Sequence, residues 1–209
     1  THKNESTWIA QRNGRTKDGD DKTQVAVIKM FAMSSNKPFA NNLAEMNIAP
    51  IAVSYEYEPC DALKTQEVYL LRKNGTYTKT ANEDLNSIVT GIRQFKGRIS
   101  YTFCPPITET ELASCQEAPQ KERFRLLAEI IDRRIYSGYR LFKTNYMAYD
   151  LLEGTHRFTQ QYSDEDLKEF IAYTDERTSS LEGDRGELRN IFLSIYANPV
   201  RNCIIDNNI

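Results

Sequence analysis

Four cations and two glycines are concentrated in one short loop, which runs from Gln11 to Lys22. The residues that could attract an anion there are Arg12, Gly14, Arg15, Lys17, Gly19 and Lys22. The sequence predicts a strand end before the loop, at Thr7 to Ala10, and a helix after it, from Thr23 to about Ser35. Free N–H groups at a helix N-terminus attract anions, and an arginine can hold two phosphate oxygens at once. The composition of the loop is therefore that of a phosphate site.

A second interpretation of the same loop stays open. Asp18, Asp20 and Asp21 lie among the cations, so the loop could equally be a solvated turn whose charges neutralise one another. The glycine spacing does not fit the dinucleotide fingerprint, and no Gly-Lys-Ser/Thr of a P-loop occurs. The acidic residues also lack the ligand spacing of a calcium loop.

Three segments together, "IAQRNGRTKDG", "NIAPIAVSYEY" and "GRISYTF", resemble the glycerol-phosphate and lysophosphatidate acyltransferase family. The resemblance is closest to its Bacteroidetes-type members, some of which are labelled hemolysins, and it covers about residues 7 to 142. It implies an acceptor phosphate held by Asn13, Gly14, Arg15, Thr16 and Lys17. It also implies that Pro50 and Ile51 line an acyl channel.

The resemblance implies an enzyme that moves a fatty acyl group from acyl-CoA or acyl-carrier protein to a hydroxyl of a glycerol-phosphate or lysophospholipid. Such an enzyme needs no cofactor and no metal, and the family is cytoplasmic and peripheral on the inner membrane. A net charge of −2 gives no global attraction to nucleic acid, so no nucleic-acid partner is expected.

Two departures from the family pattern matter. Asn13 stands where the family has Glu, and neither histidine begins the catalytic His-x-x-x-x-Asp, since His2 is followed by Thr7 and His156 by Gln161. We therefore expect a chain that lacks the first strands and the catalytic block of the family and is inactive alone. The alternative is a non-catalytic phosphate- or lipid-binding module on the same fold.

Composition adds few constraints. Hydrophobic residues make up 40% of 209 residues and charged residues 27%, which is typical of a globular protein. No two of the four cysteines have the C-x-x-C spacing, and there are only two histidines, so no metal site is expected. The cysteines are predicted to be buried thiols of a reducing compartment.

Strand-like and helix-like segments alternate in the first half. Apolar strands are predicted at Ile48 to Val53 and at Ile99 to Phe103, with helices at Ala62 to Arg72 and, after a Thr80–Glu83 capping box, up to about Lys96. This order predicts an α/β fold, with a mixed or parallel sheet covered by helices, in residues 1–143. Residues 144–209 are predicted to be an all-helical appendage.

The sequence makes specific predictions for two helices of the second half. The one from Gln120 to Phe142 has an apolar stripe and four arginines, which could meet anionic lipid head groups; the interleaved acids favour a solvated face instead. The last helix is predicted at Asp184 to Ala197, ended by Pro199.

Overall fold

The computed structural model describes residues 6–11 and 17–206 and is mostly helical, with 60% helix and 5% strand. Its sheet has two antiparallel strands. The predicted α/β fold, a mixed or parallel sheet covered by helices, is therefore wrong. Both predicted apolar strands do form, but they pair with each other in opposite directions, and two helices connect them.

In chain order the elements are α1 (Val25–Ala32), α2 (Phe39–Ala44), β1 (Ile51–Tyr55), α3 (Asp61–Asn74), α4 (Glu83–Arg93), β2 (Ile99–Phe103), α5 (Glu109–Glu117), α6 (Gln120–Gly138), α7 (Lys143–Glu153), a 3-10 turn (Thr159–Gln161), α8 (Asp164–Ser179) and α9 (Arg185–Ile205). Thr7 to Ala10, predicted as a strand end, has no regular structure, and Trp8 and Ile9 in it are exposed.

The chain divides into two compact units. Unit 1 contains residues 1–16, 21–53 and 101–139, and unit 2 contains residues 17–20, 54–100 and 140–209. Unit 1 is built from α1, α2, α5 and α6, and unit 2 from α3, α4, α7, α8 and α9. The predicted boundary between residues 143 and 144 stays a prediction.

In the core of unit 1, the apolar stripe of α6 packs against the other three helices of the unit. Leu127, Ile131 and Ile135 recur at helical spacing on α6 and are all buried. Ile28 of α1 and Leu43 of α2 are fully buried in the same cluster. Arg134 is one of the four arginines on this helix. Its guanidinium donates to both carboxylate oxygens of Glu111 at 2.8 and 2.9 Å.

The core of unit 2 is built on α9, the longest helix among the described residues. Its Tyr196 is buried edge to face against Phe170 of α8, with ring centroids 5.5 Å apart, and is tilted against Phe192 of α9 at 5.4 Å. The helix continues through Pro199 to Ile205, so the prediction that Pro199 ends it is wrong. The packing of its neighbours outweighs the single backbone hydrogen bond that the proline removes.

Local signals for helix ends are mostly confirmed. The Ser-x-x-Asp pattern at Ser163 and Asp166 forms a capping box at the start of α8, and Gly75, a residue type common after helices, ends α3 with a left-handed backbone. Thr80 and Glu83 do hydrogen-bond, but α4 begins at Glu83 after a left-handed Asn82, so Thr80 lies outside the helix. All four cysteines are buried, as predicted, and none of them forms a disulfide within the described residues.

Glu111 gives unit 1 a testable acid sensitivity. The hydrogen bonds from Arg134 hold the pKa of the Glu111 carboxyl at about 2, below its ordinary 4.5. Because the folded-state pKa is depressed, the stabilisation is present above pH 4.5 and is lost as the pH falls toward about 2. Glu111→Gln is expected to cost about 1–2 kcal/mol of unfolding free energy at neutral pH, after allowance for partial exposure of the carboxylate.

Urea unfolding at neutral and at acid pH measures this effect. Wild type should lose stability more steeply than Glu111→Gln across the acid range, so that the two curves converge. Glu109→Gln, which removes an exposed carboxylate from the same first helical turn, is the control. Parallel curves for wild type and Glu111→Gln would contradict the prediction.

Candidate functional site

The described end of the basic loop, residues 17–20, is fixed in unit 2 by α3 and α9. Lys17 Nζ forms an ion pair with Glu67 Oε2 of α3 at 2.5 Å. Asn198 Nδ2 of α9 donates to the Asp18 carbonyl at 2.6 Å, and the Asp20 N–H donates to the Asp18 carboxylate at 3.2 Å. All four loop residues are half-buried. This part of the loop is therefore a positioned turn, not a freely solvated one.

The loop packs on α9 beside the carbonyl that Pro199 leaves without its usual helical donor. A proline has no N–H, so the helix cannot satisfy the Ile195 carbonyl in the usual way. Gly19 lies directly against this carbonyl, and a Cβ at Gly19 would overlap its oxygen. Gly19 also has a φ of 75°, which side chains disfavour. A side chain at residue 19 would therefore disrupt this contact.

The base of the loop is closed within unit 1. The Gln24 N–H donates to the Gln11 carbonyl at 2.9 Å, and Gln11 Nε2 donates to the Asp21 carbonyl at 3.0 Å. Tyr139 Oη donates to Asp21 Oδ2 at 2.7 Å. The chain on each side of residues 12–16 is thus fixed by named hydrogen bonds.

The predicted phosphate-binding residues Asn13, Gly14, Arg15 and Thr16 lie outside the described residues. Lys17 is described, and its side chain is 32% exposed beside Glu67. Of the predicted acyl-channel residues, Pro50 is buried, with its carbonyl accepting from the Cys104 N–H at 3.0 Å, and Ile51 is half-buried. Lys17 lies in unit 2 and Pro50 in unit 1. The phosphate-binding role of Lys17 and the acyl-channel role of Pro50 and Ile51 stay predictions.

A buried polar cluster in unit 2 was not predicted. Its centre is Asp61, the first residue of α3, which is fully buried. Arg177 donates from Nε and Nη2 to Asp61 Oδ1 at 2.8 and 2.5 Å. Tyr173 and Tyr196 donate their hydroxyls to Asp61 Oδ2 at 2.6 and 2.8 Å. The Ala62 N–H donates to Oδ1 at 2.7 Å, so five donors saturate one carboxylate.

The electrostatics of this cluster favour a structural role. Burial and the charge of Asp61 raise the pKa of Tyr196 well above its ordinary value, and the same two causes raise the pKa of Tyr173. Burial opposes the charge on Arg177, but its hydrogen bonds to Asp61 and the carboxylate charge raise its pKa overall. The tyrosines therefore stay protonated donors, and the acceptor positions of Asp61 are occupied by groups of the cluster itself.

An open hollow of about 200 Å³ lies beside the cluster. It is lined by Pro59, Gln94, Phe95, Tyr173, Glu176 and Arg177. The positive charge of Arg177 is already neutralised by Asp61, and Glu176 adds a negative charge. An anionic substrate would gain little there, so the hollow is not a second phosphate site.

Sequence reasoning could not have found the cluster. Asp61 is separated from Tyr173, Arg177 and Tyr196 by more than 110 residues, as the hydrogen-bond partners show. Only the spacing of Tyr173 and Arg177, four residues apart on α8, places two of them on one helix face. An isolated acidic residue at a helix start normally indicates a cap and nothing more.

Residues suited to catalysis or metal binding are scattered over the described part of the chain. His156 is exposed in the turn after α7. Across residues 6–11 and 17–206, no three His, Cys, Asp or Glu side chains come close enough together to hold a metal ion. Over the same residues, no helix combines the length and the apolar character that crossing a bilayer requires.

Comparisons with known proteins do not assign the chain to a class. No protein-family model matches it, and searches of curated proteins and of solved structures found no match either. The resemblance to the acyltransferase family therefore depends on the sequence segments alone.

Proposed function

We propose that this chain supplies the acceptor-binding part of an acyltransferase. The reaction moves a fatty acyl group from an acyl-CoA or acyl-carrier-protein thioester to a hydroxyl of a glycerol-phosphate or lysophospholipid. The basic loop holds the acceptor's phosphate, with Arg15 as the bidentate ligand, and Lys17 exchanges its ion pair with Glu67 for the phosphate. Pro50 and Ile51 belong to the acyl side of the site.

The observation that carries the proposal is the anchored end of the basic loop. A phosphate site needs preorganised donors, because ordering a mobile loop on binding would cost much of the affinity. Lys17, Asp18 and Gly19 are held by α3 and α9, so the described end of the loop is preorganised. A loop whose only role was solubility would need no such anchoring.

Acyl transfer also needs a base for the acceptor hydroxyl. The 209 residues contain no His-x-x-x-x-Asp, and the Asp61 carboxylate is saturated by donors. In this proposal the catalytic pair comes from sequence outside these residues, and the chain alone transfers no acyl group. Turnover by residues 1–209 in a thioester assay would contradict this assignment.

A second candidate is a phosphate- or lipid-binding module without catalysis. The observation that favours it is Asn13, which stands where the related family has a charged Glu. Both candidates predict phosphate binding by the loop. They differ in the surrounding coding sequence: a His-x-x-x-x-Asp block there favours the enzyme, and its absence favours the binding module.

Titration of the 209-residue chain with glycerol 3-phosphate, followed by calorimetry, tests the binding step. Arg15→Gln is expected to weaken binding at least about tenfold, because a charge-assisted bidentate pair contributes about 1.5–3 kcal/mol. The matched control is Arg185→Gln, which removes an exposed arginine at the start of α9. Equal affinity in wild type and Arg15→Gln would remove the loop as the phosphate site.

A further inference from the structure

Helix α4 exposes an apolar face that the described residues leave largely uncovered. Its apolar residues recur at helical spacing: Leu85, Ile88, Val89, Ile92 and, just beyond the helix, Phe95. Such a stripe normally faces a core. Here no residue of α4 is buried, and Leu85, Ile92 and Phe95 are 59%, 73% and 70% exposed.

Few contacts hold α4 to the rest of unit 2. The Cys60 thiol donates to the Ser87 carbonyl at 3.4 Å, and the Tyr77 hydroxyl donates to Glu83 at 2.8 Å. Phe95 touches Tyr57, with ring centroids 5.4 Å apart. These contacts fix the position of the helix without covering its apolar stripe. An 11-residue helix gains little stability in water by itself, so an additional surface would stabilise it.

The charges around α4 indicate what that surface is. Residues 85–97, which carry the apolar stripe, contain Arg93 and Lys96 and no acidic residue, a net charge of +2, whereas the whole chain has a net charge of −2. On either side of this segment the cations are paired, Lys79 with Asp84 and Arg98 with Glu56. The rest of the chain is therefore acidic, and positive charge is concentrated where the apolar side chains are exposed.

Exposed apolar side chains and positive charges occur together within five residues at the end of α4. Ile92 and Phe95 are exposed and alternate with Arg93 and Lys96. Lys96 Nζ donates to the carbonyls of Ile92 and Gln94 at 3.0 and 2.8 Å, which keeps its charge beside the apolar groups. Apolar anchors bordered by cations are typical of helices that lie in the interface of an anionic bilayer.

We propose that α4, with Phe95, Arg93 and Lys96, is a docking surface for an anionic lipid membrane. The apolar stripe enters the boundary between head groups and acyl chains, and the cations contact the lipid phosphates. A symmetric contact with a second copy of the chain fits less well, because it would bring two segments of charge +2 together. Of the four arginines of α6, Arg134 and Arg125 are already paired with glutamates.

Co-sedimentation with lipid vesicles tests the proposal on the full 209-residue chain. Vesicles of phosphatidylcholine mixed equally with phosphatidylglycerol are compared with vesicles of phosphatidylcholine alone. We expect wild type to bind the anionic vesicles more tightly, by at least about tenfold, and added salt to reduce the difference. Equal or undetectable binding to both would overturn the proposal.

Two double variants identify the surface. Ile92→Ser with Phe95→Ser is expected to weaken binding to anionic vesicles at least about tenfold, through lost apolar burial. Its control is Met30→Ser with Met33→Ser, which changes exposed apolar side chains at α1. Arg93→Gln with Lys96→Gln is expected to weaken binding about tenfold or more, and Lys121→Gln with Arg185→Gln is its charge-matched control. Circular dichroism checks that each variant is folded.

The vesicles also separate this proposal from phosphate binding by the basic loop. Phosphatidylglycerol carries a phosphate, so loss of vesicle binding in Arg15→Gln with no loss in the α4 variants would overturn the α4 assignment. Retained vesicle binding in Arg15→Gln supports it, whether or not glycerol 3-phosphate binds the loop. Sedimentation velocity provides the last check. If the Ile92–Phe95 variant converts a dimer to a monomer and leaves vesicle binding unchanged, the face joins two copies and the proposal is wrong.

Discussion

Asp61→Asn is expected to lower the unfolding free energy by about 3–5 kcal/mol, the typical cost of breaking a buried ion pair. The Asp61 carboxylate is fully buried and accepts from Arg177, Tyr173, Tyr196 and the Ala62 N–H. An amide keeps one acceptor oxygen and puts an NH₂ group where donors already point. Arg177 also loses its counter-charge in a largely buried position.

Urea unfolding measures this cost, and the chain offers a matched control. Glu153→Gln makes the same carboxylate-to-amide change in an exposed pair with Arg201 and is expected to cost less than about 1 kcal/mol. Tyr173→Phe removes a single donor to Asp61 and is expected to fall between the two, at about 1 kcal/mol. If Asp61→Asn costs no more than Glu153→Gln, the cluster does not stabilise the contact of α3 with α8 and α9.

Gly19→Ala is expected to cost about 3 kcal/mol, because it combines left-handed backbone strain with overlap against the Ile195 carbonyl. Gly75 is the matched control, since its φ of 73° is nearly the same and a Cβ added there would have no atom within 4 Å. Gly75→Ala therefore isolates the backbone strain, at about 1 kcal/mol. The difference between the two variants measures the contact between the loop and α9.

Two measurements test the prediction for Gly19→Ala. Urea unfolding gives the two free energies, and limited trypsin digestion reports whether cleavage after Lys17 becomes faster as the loop leaves α9. If the loop binds phosphate as proposed, Gly19→Ala also weakens glycerol 3-phosphate binding, whereas Gly75→Ala leaves it unchanged. Equal stability costs together with equal cleavage rates would show that the Gly19 contact does not hold the loop.

Features that depend on nearby residues were predictable from the sequence. The stripe on α6, the capping box of α8 and the left-handed Gly75 after α3 follow from residues within one or two helical turns of each other. The two strands were also placed correctly in outline. The pairing of the strands was not predicted correctly, because the alternation of strands and helices along the chain does not determine which strand edges meet or in which direction. This ambiguity accounts for the wrong α/β prediction.

The candidate site also has features that the sequence shows and features that only the structure shows. The sequence by itself determined that cations and glycines are concentrated before α1, and that an acidic residue begins α3. Only the tertiary structure decided that Gly19 packs on the Ile195 carbonyl and that Asp61 collects donors from α8 and α9. The physical reason is that both contacts join residues far apart in the chain. The Ile195 carbonyl and the Arg177 guanidinium lie more than 110 positions from the residues they contact, Gly19 and Asp61, and no local pattern records such contacts.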